Sequence, residues 1–337
     1  MMNKILTISI AAYNIEKYVN ETLDSFVIPE VMDDIEIILV NDGSKDGTGK
    51  LARSYEAEYP NTFIIVDKEN GGYGSTINTS VEIASGKYFK TVDGDDWVDR
   101  QGFIKLVEYL KRAETDIVVT NYSRVNDKTG KQIPTVFKIR RYETAFDFSE
   151  AYTGQELYMQ SIAFKTDILK RIDFHITEHC FYTDIEYILR PMPYIKTISY
   201  LNQNVYMYRV AVNEQSMSVK GKRKHIDEQL LILKKMCGYY AKHSELMEDG
   251  KKKFFDVILS GMLKSHVTAI LSLRVSTNAK KRLLEIERTV KKECPSVFKE
   301  AYRYKTLTAL RRTNYALYSM GSISYKIYQG LLSLTGR

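Results

Sequence analysis

The feature that most constrains this chain is an alternation of strand and helix signals across its first 120 residues. Ile5–Ile10 reads as a strand and Glu16–Phe26 as a helix. The apolar run Ile35–Val40 suits a buried strand and stops at the turn residues Asn41-Asp42-Gly43-Ser44. Asp46–Tyr59 is helical, Phe63–Val66 is a third strand, and Gly71-Gly72-Tyr73-Gly74 opens a helix running to about Ala84. After Gly86 come a fourth strand, Lys87–Val92, a helix, Asp99–Arg112, and a fifth strand, Asp116–Thr120. Strands separated by helices of roughly 10–15 residues predict an α/β fold with a doubly wound, mostly parallel sheet. In such sheets ligands bind beyond the carboxyl ends of the strands. The groups expected there are Tyr13-Asn14, Asn41–Ser44, Asp67–Gly74 and Asp93–Asp96, all rich in polar side chains.

The pattern then changes. Asn121–Ser218 is mixed, with short β runs at Thr135–Tyr142, Thr197–Leu201 and Val205–Tyr208 around a helix near Asp184–Arg190. From Lys222 only helical periodicity remains, over Lys224–Lys242, Lys251–Leu273 and Ala279–Lys292. Charge shifts at the same place. Residues 1–220 carry 25 basic and 32 acidic side chains, whereas residues 221–337 carry 24 and 10. Two domains are expected: 1–220, with a nucleotide-binding half 1–115 and an acceptor-side half 116–220, and a helical, basic 221–337. A chain that is 44% hydrophobic with 6 Pro is neither disordered nor collagenous. Cys180, Cys237 and Cys294 are far apart in sequence and form no disulfide framework or metal spacing, which suits a reducing compartment. Met1–Ile10 lacks a signal-peptide core, and Val257–Leu273, interrupted by Lys264 and His266, falls short of the roughly 20 apolar residues of a spanning helix. The expectation is a cytoplasmic protein, soluble or peripheral.

Asp93-Gly94-Asp95-Asp96 places three carboxylates in four residues after a strand. Carboxylates so close repel, so the site calls for a cation, and Mg²⁺ or Mn²⁺ is often held by one or two carboxylates plus substrate phosphates. The alternative is an acidic turn before a helix capped by Asp99. Asp42 is placed to accept from a base N–H or a ribose hydroxyl, or else forms an Asx turn; Asp46 reads as a helix cap. Asn70–Gly74 fails as a dinucleotide fingerprint because Ile77 stands where the third Gly belongs. It reads better as a loop that lets backbone approach a ligand.

Five segments resemble, in order and spacing, the family 2 glycosyltransferases: Ile8–Asn14, Ile38–Thr48, Asn70-Gly71-Gly72, Ala84–Tyr88 and Asp93–Asp96. The resemblance is strong over 1–100, moderate over 101–218 and slight beyond. It implies a GT-A fold followed by an all-helical region, a nucleoside-diphosphate sugar donor (UDP-sugar above others), and inversion at the anomeric carbon. By position, Tyr13 looks like the residue contacting the base, Asp42 the base or ribose acceptor, and Asn70 part of the donor loop. Asp93 and Asp95 look like the Asp-x-Asp pair, with Asp95 the direct metal contact and Asp93 nearer the ribose or sugar. Many members have Arg-Asn where this chain has Ile77-Asn78, so the loop lacks a cation common in the family. The family's Glu-Asp matches Thr183-Asp184, which implies Asp184 as the general base taking the acceptor proton; otherwise Asp184 is a helix cap. Glu186 is the second choice. Arg209, Gln215 and Ser216 resemble the segment that reaches the diphosphate or covers the donor, although Arg209 also reads as an ion-pair partner. His175 and His179 are assigned no role.

Residues 301–337 hold six basic groups and no acidic one, interleaved with six tyrosines. Leu307, Leu310, Leu317, Ile323, Ile327 and Leu331 recur at helical spacing. That composition suits an anionic membrane surface, or an ordinary helical domain with a solvated face. No nucleic-acid motif accompanies the charge. The reading is a transferase acting on a growing glycan or lipid-linked glycan at the inner face of the plasma membrane. The alternatives are a non-catalytic sugar-nucleotide-binding or scaffold subunit, and a sugar-phosphate nucleotidyltransferase. The latter wants a Gly-rich, Arg-containing loop where Ala11-Ala12-Tyr13-Asn14 stands.

Overall fold

Four parallel strands form one half of the sheet: β1 (Leu6–Ala12), β2 (Ile35–Asp42), β3 (Phe63–Lys68) and β4 (Tyr88–Asp93), in the order β3-β2-β1-β4. The coordinates are a computed structural model that describes residues 4–172, 174–210 and 219–325. All eight residues of β2 are buried, as a parallel strand covered on both faces must be. Between these strands run α1 (Val19–Asp24), α2 (Thr48–Glu58) and α3 (Tyr73–Ile83). Helix α3 packs on β1 and β2, and α2 on β3. Glu36 is buried in β2 and fastens the entry to β4. It accepts from Thr7 Oγ1, from Ser85 N and Oγ, and from Gly86 N. This places the Ser85-Gly86 turn beneath the parallel strands.

The sheet continues through β5 (Trp97–Val98), α4 (Arg100–Arg112), β6 (Ile117–Asn126), β7 (Gln132–Thr135), β8 (Phe146–Asp147), α5 (Phe148–Ala151), β9 (Ile162–Lys165), α6 (Thr166–Arg171), α7 (Asp184–Leu189) and β10 (Thr197–Val210). Its full order is β3-β2-β1-β4-β9-β6-β10-β5, with β7 on β6 and β8 on β10. The antiparallel β9 joins the two halves by pairing with both β4 and β6. Sequence reasoning missed it because four residues are too few to show a period. Two runs expected at Thr197–Leu201 and Val205–Tyr208 are one strand, with register shifts between Leu201 and Tyr206. The run expected at Thr135–Tyr142 is not a strand; only Gln132–Thr135 pairs, because Phe137 turns inward and donates its N–H to Asn121. Asp99 caps α4 by accepting from Gly102 N at 2.8 Å.

The chain divides into two units between Val212 and Asn213. The second consists of α8 (Val219–Lys224), α9 (Ile226–His243), α10 (Asp249–Ser272), α11 (Thr277–Glu293), α12 (Pro295–Glu300) and α13 (Lys305–Arg312), with helical backbone again at 318–325. Helix α10 is its spine, packed by α8, α9, α11 and α12. By length and composition α10 could cross a membrane, yet 72% of its apolar window is buried in the chain, as in a core helix. Cys237 and Cys294, distant in sequence, meet here: the Cys294 thiol donates to the Cys237 carbonyl at 3.4 Å, and both thiols are free.

The described part of the tail belongs to this core. Leu307 and Leu310 are buried, and Arg311 forms a 2.7 Å ion pair with Glu287 in which each side chain is 3% exposed. The Arg311 guanidinium lies 3.7 Å from the Phe298 ring centre, and Tyr315 donates to Glu287. The apolar stripe read from the sequence is therefore split. Leu317 and Ile323 are exposed together with Met320, while Ile327 and Leu331 lie outside the described residues.

His266 on α10 is fully buried, and burial lowers its pKa to about 4. A folded-state value below the unfolded one means stability is complete above about pH 6.5 and is lost as pH falls toward 4. The full loss corresponds to roughly 3 kcal/mol. His266→Leu removes the titration, so the stability of the variant minus that of the parent, measured by urea unfolding, should rise as pH falls from 7 to 4. A gap independent of pH would refute the assignment.

Candidate active site

The donor-side loop is built around Asp42, the last residue of β2. Its carboxylate accepts from Gly71 N and Gly72 N, both at 2.8 Å, and pairs with Lys68 Nζ at 3.1 Å. Asn70 Nδ2 donates to the Asp42 carbonyl at 2.9 Å. Asp42 and Asn70 are thus brought together, and both shape the loop from within. Tyr13 follows β1 and is 51% exposed, so its ring stands free at the carboxyl edge of the sheet. Asn14 adopts φ 52° and ties this corner to the next loop, donating to Ser44 Oγ and accepting from Lys45 N. Asp46 behaves as the expected cap, accepting from the N–H and hydroxyl of Thr48.

The acidic turn follows β4. Asp96 is completely buried and accepts from Tyr206 OH at 2.6 Å and Arg209 N at 2.7 Å. The Tyr206 hydroxyl in turn accepts from Asp93 N at 3.0 Å. Arg209 Nε donates to the Asp95 carbonyl, while its two terminal nitrogens pair with Asp127 and Glu21, all three at 2.6 Å. The guanidinium lies 4.5 Å from the Trp97 ring and 4.8 Å from that of Tyr18. Arg209 is therefore a 7% exposed clamp beneath the turn, rather than a side chain extended toward a ligand. Gln215 and Ser216 lie outside the described residues.

The turn is strained electrostatically. Burial and then the charge of Asp95 push the Asp93 carboxyl up to about 7. Burial also raises Asp95, against a lowering influence of Arg209, and holds Asp96 well above the ordinary range with help from Asp93 and Asp95. Among the described residues, no three Asp, Glu, His or Cys side chains form a ready-made metal cage. A dication that draws most of its ligands from phosphates and water needs only one or two carboxylates. Asp93 and Asp95 fit that requirement: both are raised, and Asp95 is among the charges that raise Asp93.

Asp184 begins α7, and burial raises its carboxyl above the ordinary range, opposed by backbone N–H groups of Ile185 and Asp184 itself. Its charge is felt at Asp93, Tyr73 and Tyr208, so the fold brings residues from β4, α3, α7 and β10 to one centre. The segment before α7 is locked to the donor loop. His179 N donates to Gly71 O at 2.5 Å, and Asn78 exchanges hydrogen bonds with Ile176 at 2.9 Å in both directions. Gly72, at φ 81°, and Gly74 allow this approach: a Cβ on Gly72 would stand 3.2 Å from His179 N, and one on Gly74 would collide with the Thr177 carbonyl. Ile77 is buried in the α3 interface. Glu186 is buried as well. Burial favours its protonation, but hydrogen bonds from Thr177 and Arg190 outweigh this and hold the carboxyl low.

Two groups at this centre escaped sequence reasoning. The Tyr73 hydroxyl donates to Met159 Sδ at 3.3 Å; burial, then the charge of Asp93, raises it well above 10. Its one sequence signal is an aromatic inside a glycine loop. Lys90 is buried in β4, donates to Gln160 O and Ile162 O, and lies 5.5 Å from the Tyr206 ring; burial lowers it to about 7. A lone Lys in an apolar strand gives no indication of such a partner.

Residues 7–173 match the model of Glycosyl transferase family 2. Putative glycosyltransferase EpsH of Bacillus subtilis is 27% identical over 327 residues, covering 92% of this chain and 88% of EpsH. Glycosyltransferase GlyA of Streptococcus pneumoniae is 29% identical over 220 residues, or 61% of this chain; the match spans only 30% of GlyA. The crystal structure of S. aureus TarS 1-349 in complex with UDP-GlcNAc superposes with a TM-score of 0.70 at 20% identity, covering 97% of this chain and 92% of that one. That likeness is one of fold. Residues 7–173 belong to glycosyltransferase family 2, and the fold is that of a GT-A glycosyltransferase followed by a helical region.

Arg209→Lys keeps one charge but loses the planar fork. Glu21 is 53% exposed and screened by water, so breaking this cluster should destabilise the first unit by about 1–2 kcal/mol in urea unfolding. A loss below about 0.5 kcal/mol, as for an ordinary surface change, would show that the clamp is not structural.

Proposed function

We propose that the transferase moves a sugar from a UDP-sugar to a hydroxyl of a glycan or lipid-linked glycan in one displacement with inversion. The observation that supports this reading is that the charges of both Asp95 and Asp184 act on Asp93 at the end of β4. Tyr13 offers an exposed ring for the base. The backbone at Gly71-Gly72, shaped by Asp42 and Asn70, offers a rigid edge to the ribose and diphosphate. Gln215 and Ser216 are candidates to cover the donor. Asp95, with Asp93, would hold a Mg²⁺ or Mn²⁺ ion, which neutralises charge on the leaving diphosphate. The UDP assignment draws on the UDP-GlcNAc bound to TarS.

Asp184 is the general base. As the acceptor oxygen bonds to the anomeric carbon, the bond to the diphosphate breaks and the acceptor proton passes to the Asp184 carboxylate. Burial strengthens that carboxylate as a base, because it raises proton affinity above that of an exposed aspartate. Tyr73 positions Asp93 from the donor-loop side. Residues 1–220 carry the transfer. Residues 221–337 seat the enzyme on the anionic cytoplasmic face of the plasma membrane, with Leu317, Met320 and Ile323 exposed beside Arg312.

Asp184→Asn should lower kcat by roughly 10²–10⁴-fold while retaining the thermal shift given by UDP-sugar. A fully active variant would remove Asp184 from the mechanism. Asp184 must be ionised, so kcat/KM should rise with pH through an acid limb above the ordinary aspartate value of about 3.9. For the membrane, salt-sensitive binding to phosphatidylglycerol vesicles should fall in Met320→Ser/Ile323→Ser. Equal binding of variant and parent would refute that surface.

A further inference from the structure

The first unit is acidic in sum, yet one stretch of it is not. Arg124, Lys128, Lys131, Lys138, Arg140 and Arg141 fall within residues 124–141, whose only carboxylate is Asp127. All six basic side chains are exposed. None has a carboxylate within 4.0 Å among the described residues, whereas most other described Lys and Arg side chains of this unit are ion-paired. Asp127 is already engaged by Arg209.

The fold holds these charges in place. Strands β6 and β7 pair antiparallel with Arg124 opposite Ile133, so Arg124, Lys131 and Ile133 share one face of the hairpin. Asn126 Oδ1 accepts from Lys128 N and Thr129 N and fixes the turn. Phe137 is buried just before Lys138 and anchors the following loop. The turn of the hairpin reaches the underside of the acidic turn, since Asp127 binds the Arg209 fork and Arg209 binds the Asp95 carbonyl. The donor loop lies toward the opposite edge, on β2 and β3.

We propose that the β6–β7 hairpin and the loop to Arg141 bind a linear, phosphodiester-bearing acceptor chain and lead it to the acidic centre. This rests on the transferase reading of that centre and names its acceptor class. Exposed cations without carboxylate partners suit a polymer that carries phosphates along its length, and a neighbouring site of transfer suits a substrate rather than a surface for anchoring. Neutralising each phosphate releases counterions, so affinity should fall with salt at a log–log slope of roughly −0.7 per contact.

The test is binding by the full chain to a short glycerol-phosphate oligomer, a neutral glucan oligomer and phosphatidylglycerol vesicles, over a salt series. The variant is Lys128→Glu/Lys131→Glu/Lys138→Glu/Arg140→Glu, with its melting temperature as the check on folding. The parent should bind the phosphate oligomer in preference to the glucan. The variant should bind it on the order of tenfold or more weakly, with a shallower salt slope. Unchanged oligomer binding in the folded variant would overturn the proposal, as would loss of vesicle binding alone, which would assign the patch to a membrane. If the quadruple variant does not fold, the single Lys131→Glu and Arg140→Glu variants carry the same comparison. The readout is binding, so failure of Asp184→Asn to affect transfer would count against the proposed mechanism and leave this result standing.

Discussion

Three carboxylates in four residues cannot be buried at the end of a strand unless something else holds them, and the rest of the first unit follows from how that is done. Asp96 is the member removed from water, and its oxygens go to the Tyr206 hydroxyl and the Arg209 N–H. The same tyrosine caps the Asp93 N–H, and the same arginine grips the Asp95 carbonyl. With the backbone pinned and one carboxylate satisfied, Asp93 and Asp95 are both left raised. Strand β10 supplies both clamping residues, so the far side of the sheet sets the geometry of a turn on β4. Arg209 in turn needs Glu21 and Asp127, which ties α1 and the β6–β7 turn to the same point.

A second interlock ties the Gly71–Gly74 loop to the segment before α7. The glycines of the donor loop leave room for the backbone of residues 177–179, and Asn78 fastens that backbone to α3. Glu186 finishes the work from the other end by holding Thr177 N. Asp184 is therefore carried toward the acidic centre by a segment that is bonded to the Gly71-Gly72 loop. Ile77 is buried in α3, so the helix gains packing at this position from an apolar side chain.

Charge was the least reliable guide. The basic tail looked like one face, but Arg311 is drawn into a buried pair with Glu287, and Leu307 and Leu310 enter the core. Conversely, an acidic first half contains an exposed basic hairpin that a net count conceals. A sum over many residues carries no information about which charges neutralise each other, because pairing is decided by contacts between segments far apart in the chain.

The sequence by itself determined the parallel half of the sheet. Runs of apolar residues that stop at Asp-Gly or Gly-Gly turns encode strand, turn and helix locally, and they set Tyr13, Asp42, Asn70, Asp93 and Asp95 at strand ends. It also placed Asp184 at a helix start. It could not reveal β9, whose four residues gain their strand identity only from β4 and β6 on either side. Nor could it separate Arg209 as a clamp from Arg209 as a ligand, since the difference lies in Glu21, Asp127, Trp97 and Tyr18, which no local pattern connects. Periodicity records which side of an element is buried. What a buried polar group is bonded to depends on the neighbour the tertiary fold supplies, and at the acidic turn the clamping side chains, Tyr206 and Arg209, come from another element.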